Sequence, residues 1–365
     1  VFLLVVMSLM TPTFGMPVER SPLQEDSHLH PKYVERREVC YGNFLLWIAD
    51  YLDICPKGLV TSGPLLGEAL RTYGHYLHDT NKPLYLFTHT IVGVLHKHPE
   101  HRHFLYRAWK VNSQWQFEEP GHSRVALPRN VFKAIISLAL LWGWVEFAGI
   151  AVLAWGGIMR PSDTRKPKRA YLVLPQDRLE TSGPAFFYHN NPKTAGRFAR
   201  HQHSRIDDSS IIALLTRVFG HLGPHEPLCI YSDGQFRLRW NALFAFFGLP
   251  YQSKLGGATP ACLRGSSVTD FYIYTEDVPR AAWRGRWRSV STLEYYLQEA
   301  AAQLFLSYLT VDVKEKLLQF SSASDLVWNS FLQCQSLAHW TAIVGGRKAP
   351  SSGQVRNLRR ALKRT

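Results

Sequence analysis

The side chains in this 365-residue sequence with chemistry to offer are Arg160, Lys193, Arg264, Trp287 and Tyr296, with Asp163 three positions after the first arginine. Arginine suits an anion with several oxygens, because its planar fork donates to two of them at once. A tyrosine oxygen becomes a nucleophile when its proton is removed, and a lysine can return a proton to a departing group. Breaking a phosphodiester without a metal needs this mixture: a nucleophile, several cations around one phosphate, and a donor for the leaving oxygen.

Taken singly, each residue also has a plainer explanation. Arg160 follows the apolar run that ends Gly156-Gly157-Ile158-Met159, where a cation complements a helix C-terminus. Lys193 sits in the turn Asn191-Pro192-Lys193-Thr194, where a solvated lysine is ordinary. Thr259 and Pro260 read as an N-cap and a first helical residue, which puts Arg264 in a first turn. A cation there opposes the helix dipole unless an anion is bound. Arg284-Gly285-Arg286-Trp287-Arg288 interleaves cations with an indole that can donate its N–H or fill a core. Ser291-Thr292-Leu293-Glu294 has the pattern of a capping box, which predicts Tyr296 early in a helix. Leu293, Leu297, Ala300 and Leu304 then share its face, and core packing would account for any one tyrosine. Tyr295 points elsewhere and competes for the nucleophile's role.

The elements that must position these residues fall into two halves. Residues 1–37 have no clear period and read as a disordered leader. Residues 38–125 read as a helical domain. Phe44, Trp47, Ile48 and Tyr51 share one face of a helix, as do Leu66, Leu70, Tyr73 and Leu77. Asn81-Lys82-Pro83 ends the second of these, and helices over 84–97 and 101–115 follow. Residues 126–310 read as a second domain: helices over 129–142 and 144–158, strands over 170–174, 185–188 and 198–206, then helices over 235–248, 260–274, 278–285 and 292–309. Between the last strand and the 235–248 helix, Ser209 or Ser210 caps a helix that Gly220 ends. Residues 311–365 read as a C-terminal helix and a basic tail.

Lys and Arg total 42 against 28 Asp and Glu, a net charge of +14 that favours a polyanionic partner. The five cysteines lack CxxC spacing, which argues against a zinc site or disulfide framework and for a reducing compartment. The apolar residues 1–10 lack an initiating Met and a basic n-region, so they read as an incomplete start rather than a whole signal peptide. The apolar stretch 134–159 has only Glu146 as a charge, but four glycines punctuate it, and two buried core helices fit better than a membrane span. His96, His98, His101 and His103 read as a solvated loop rather than a metal site, and His189, His201 and His203 as exposed or DNA-facing.

The order Arg160, Lys193, Arg264, Trp287, Tyr296 resembles the catalytic domain of tyrosine recombinases (the phage-integrase-like family). That family carries an arginine after an apolar helix, a hairpin lysine, an H-x-x-R box, a His or Trp, and then the tyrosine. Asp163 matches an acidic residue typical after the first arginine. Leu263-Arg264-Gly265 and Arg284-Gly285-Arg286-Trp287 resemble the divergent members found in eukaryotic mobile elements. The resemblance spans residues 38–305. It implies a mainly α fold with a small antiparallel sheet (α+β), a core-binding domain followed by the catalytic domain, and a duplex DNA partner. Arg284, Arg286, Arg288, Lys166, Lys168 and Arg197 are the expected DNA contacts. It further implies a nuclear protein that acts as a homotetramer on DNA, with no metal, nucleotide cofactor or membrane. One departure matters. The H-x-x-R histidine falls on Ala261, which opens the alternative of a DNA-binding protein that no longer cuts.

Overall fold

A computed structural model describes residues 29, 31–120, 125–189, 202–252 and 256–348. The protein is mainly helical with a small antiparallel sheet. The chain divides into two compact units, one on each side of position 121.

The first unit is helical throughout its described part. Its helices are α1 (Pro31–Tyr51), α2 (Pro56–Val60), α3 (Gly63–Asp79), α4 (Leu84–Lys97) and α5 (Tyr106–Glu118). Phe44, Trp47 and Ile48 of α1 meet Leu66, Leu70, Tyr73 and Leu77 of α3 in one core, closed by Phe87, Ile91 and Trp115. The i, i+3, i+4 spacing of these residues puts them on inward faces. Helix starts earlier than the leader reading allowed, at Pro31, because Arg37 and Cys40 are already buried against neighbours. The predicted helix over 101–115 is a 3-10 segment, Pro99–Leu105, followed by α5. Of the four histidines here, His96 and His103 are exposed as expected, but His98 and His101 are not solvated. His98 is hydrogen-bonded to the Tyr41 hydroxyl at 2.8 Å and His101 to the Val60 carbonyl at 3.0 Å.

In the second unit, α6 (Arg129–Leu141) and α7 (Val145–Gly156) are apolar almost all round and lie in the core. A helix hydrophobic on every side must be surrounded. Here α9 (Ser209–Phe219) and α10 (Asp233–Phe247) supply part of the cover. Gly149 of α7 permits the closest approach, since a Cβ there would sit 2.7 Å from Val218 of α9. The lone acid of the run, Glu146, accepts the Tyr231 hydroxyl at 2.5 Å. No described helix is long and apolar enough to cross a membrane.

Three further helices pack against α6: α15 (Val311–Ser322), α16 (Ser324–Gln333) and α17 (Leu337–Val344). The sequence reading placed a single C-terminal helix outside the second domain. Instead Leu317, Trp328, Phe331 and Trp340 are buried in the same core as α6. The Trp328 and Trp340 indoles donate to the Ser137 hydroxyl and the Leu140 carbonyl of α6, at 3.2 and 2.8 Å.

The described strands are β1 (Leu172–Val173), β2 (Ala185–His189) and β3 (Gln202–Ile206), antiparallel in that order. β1 is shorter than the predicted 170–174 because Arg169–Tyr171 forms a 3-10 turn. That turn is fixed by the buried Arg169, which donates to Asp177 and to the Phe219 carbonyl. Ala185, Phe187 and His189 of β2 face inward with Gln202, Ser204 and Ile206 of β3. The cap of α9 is Asp208, not Ser209 or Ser210. Its carboxylate accepts the Ser210 and Ile211 amides at 3.0 and 3.1 Å.

Candidate anion site

Ile158, Val268, Ala281, Trp287 and Leu293 form a small separate core in the second unit. The elements around it are α8 (Pro161–Arg165), α11 (Leu263–Thr275), α12 (Val278–Gly285), α13 (Val290–Glu294) and α14 (Glu299–Ser307). Several of the sequence-predicted site residues gather beside it.

Arg264, near the start of α11, is only 5% exposed. It donates from Nη2 to the Gly285 carbonyl at 2.5 Å, and its guanidinium lies 4.3 Å from the Trp287 ring centre. Its buried Nε has no hydrogen-bond partner among the described residues. Gly285 must be glycine for this packing, since a Cβ there would overlap the Trp287 indole. Burial, then the charges of Arg160 and Arg286, push the Arg264 guanidinium down to about 9; Tyr296 and Asp163 pull the other way. All four groups are thus within electrostatic reach of it.

Arg160 follows the turn at Ile158, which has a left-handed φ of 50°, and its backbone caps α8. Its guanidinium is 3.8 Å from the Asp163 carboxylate and 41% exposed. Trp287 is buried, with its ring centre 5.1 Å from that of Tyr296.

Tyr296 does not sit within a helix. α13 begins after Ser289 and ends at Glu294, so the apparent capping box at Ser291 lies inside it. Tyr296 occupies the turn before α14, where Thr269 of α11 donates its hydroxyl to the Tyr296 carbonyl at 2.9 Å. That bond, with Leu293 buried just before it, holds the ring half-buried against Trp287. Ala300 and Leu304 of the supposed common face are exposed. Tyr295 is 53% exposed.

Lys193, Arg197 and His201 lie outside the described residues. Of the expected DNA contacts, Arg288, Lys166 and Lys168 are exposed. Arg284 is instead bonded to the Asp207 carboxylate, which also takes Arg205 at 2.7 Å. Arg286 turns inward and joins the site.

Sequence reasoning missed His189 and Ser204. His189 is only 5% exposed, so it is not the exposed residue that its place beside the turn suggests. Its Nε2 contacts Arg286 Nη1 and lies 3.1 Å from the Ser204 hydroxyl. A guanidinium can only donate, so this imidazole is neutral with its proton on Nδ1. Burial first, then Arg286, Arg264, His203 and Arg160, hold its pKa far down, at about 3. The signal was the strand period, which sets His189 on the same side as Ala185 and Phe187.

This histidine has a measurable consequence. The unfolded chain takes up its proton near the ordinary value of 6.5, but the folded chain does so only near 3. Its contribution is therefore fully present above pH 6.5 and is lost as pH falls toward 3. A tenfold change in proton affinity corresponds to about 1.4 kcal/mol, so the loss amounts to several kcal/mol. In His189→Gln, stability measured by denaturant unfolding should fall less steeply between pH 6.5 and 4 than in the wild type. Parallel pH profiles would contradict this account.

The cluster brings three guanidiniums, Arg160, Arg264 and Arg286, against one carboxylate, Asp163. Two of the three are held below their ordinary pKa chiefly by burial, yet both stay charged near neutrality. Unpaired buried cations destabilise a fold, and an anion bound among them relieves that cost. Comparison with known protein families finds no matching family model, and no curated protein matches the chain.

Proposed function

We propose that this protein cleaves and rejoins DNA strands as a tyrosine-recombinase-like enzyme. The observation that carries the reading is the near-fully buried Arg264 guanidinium, its Nε unpaired among the described residues, packed on the Trp287 ring and within electrostatic reach of Arg160, Arg286 and Tyr296. In this scheme the Tyr296 hydroxyl loses its proton and its oxygen attacks the scissile phosphorus. A phosphotyrosyl bond forms to the 3′ side, the bond to the 5′ oxygen breaks, and that oxygen takes up a proton. Arg160 and Arg264 balance the charge on the non-bridging oxygens, Trp287 packs beside them, and Asp163 orients Arg160. Proton delivery by Lys193 rests on the family resemblance alone. One phosphoester replaces another, so the reaction itself requires no nucleotide. A duplex DNA partner, a tetrameric assembly on it and a nuclear location belong to the same proposal.

Ala261 favours a second reading. It lies in the 3-10 turn before α11, three residues ahead of Arg264, and its methyl group donates nothing. Losing one such group typically slows a reaction by about 10²–10⁴-fold, which slows turnover without removing DNA binding. The deciding experiment incubates the full chain with a pool of random-sequence duplexes, each nicked so that a cleaved strand diffuses away. A protein–DNA adduct stable to denaturant supports the enzyme. Salt-sensitive binding with no adduct supports the non-cutting reading.

A further inference from the structure

Arg286 is the residue of the cluster whose conformation is hardest to explain by folding alone. It ends α12 with φ 58° and ψ 47°, the left-handed region that glycine adopts without cost. A bulky residue held there is strained, and such strain persists where neighbours fix it. The neighbours here are His189 and Ser204, one from each strand of the β2–β3 pair. Arg286 Nη1 donates to His189 Nε2 and, at 2.5 Å, to the Ser204 hydroxyl. Both bonds use one terminal nitrogen. Nε and Nη2 make no hydrogen bond among the described residues, and the side chain is only half-buried. The charge lies near Arg160, Asp163 and Arg264. It forms no ion pair with a carboxylate among the described residues, whereas its neighbour Arg284 is neutralised by Asp207.

We propose that Arg286 is a third phosphate-binding guanidinium of the site, making up for the donor missing at Ala261, and that His189 and Ser204 are its positioning residues. This rests on the phosphate reading of the site, and its test is independent of DNA cleavage. His189 acts by accepting a bond on Nε2. A side chain that keeps an acceptor should therefore replace it, and an apolar one should not. The β2–β3 pair thereby takes part in anion binding through His189 at the end of β2 and Ser204 in the middle of β3.

The test is the thermal stabilisation of the full chain by inorganic phosphate, titrated at constant ionic strength against chloride. Each variant's own melting transition reports whether it folds. A hydrogen bond to a charged group is worth about 1.5–3 kcal/mol, so Arg286→Ala should weaken phosphate roughly 10–100-fold. Arg286→Lys should fall between the two, because an ammonium keeps the charge but not the fork. His189→Leu should resemble Arg286→Ala, whereas His189→Gln should stay near wild type. Arg280→Ala, exposed on the same helix, should change nothing. If Arg264→Ala abolishes the phosphate response while Arg286→Ala and Arg286→Lys leave it intact, Arg286 is not part of the site and only the phosphate reading survives. If wild-type protein gives no phosphate response, both fall. Equal losses in His189→Leu and His189→Gln would remove His189 from its positioning role.

Discussion

Trapped duplex DNA should become covalently attached to the wild-type protein and to Tyr295→Phe, and the Tyr296→Phe variant should yield no adduct at all. The contrast follows from two adjacent tyrosines in different surroundings. Tyr296 lies against Trp287 and within electrostatic reach of Arg264, while Tyr295 is more than half exposed. A nucleophile must stand beside the cations that stabilise the transition state, because their effect falls with distance and with water between. Removing the attacking oxygen leaves no route to the intermediate, so the loss should be complete rather than graded. The readout is DNA-linked protein on a denaturing gel, with the modified peptide identified by mass. An adduct that survives in Tyr296→Phe and vanishes in Tyr295→Phe would overturn the assignment.

The second large effect separates activity from stability at one position. Arg264→Met should slow adduct formation by about 10²–10³-fold, the usual cost of deleting one preorganised charge donor. Its melting temperature without phosphate should nevertheless be no lower than that of wild type. Burial, then Arg160 and Arg286, already penalise the charge on Arg264, and a methionine of similar length removes that penalty while filling the space beside Trp287. The Gly285 carbonyl loses its donor, which offsets part of the gain. A variant that melts well below wild type would show that Arg264 holds the fold together rather than waiting for an anion.

Much of the helical framework was legible because its pattern is local. Leu66, Leu70, Tyr73 and Leu77 announce their helix by spacing, and each is buried as that spacing requires. Asn81, with φ 55°, and Pro83 stop that helix by their own backbone preferences. Arg160, Arg264, Trp287 and Tyr296 were also legible as residues of interest, from their order and types. What failed depends on partners distant in sequence. Ser291 and Glu294 look like a cap, but Thr269, 27 positions earlier, decides where the chain turns at Tyr296. His98 and His101 look solvated until Tyr41 and Val60 meet them. Arg286 looks like one of three interchangeable surface cations. Only the pairing of β2 with β3, and of Asp207 with Arg284, turns one inward and neutralises another.

The way α15, α16 and α17 close over α6 sets the smallest piece of this half that can stand alone. A fragment stopped at residue 310 would keep the whole anion cluster, yet it would strip Leu317, Trp328, Phe331 and Trp340 from the central pair of helices. Each large aromatic covers roughly 150–250 Å², so the uncovered area exceeds what a soluble monomer ordinarily exposes. Such a fragment should clump and bind a hydrophobic dye, whereas one running to residue 348 should remain dispersed and melt cooperatively.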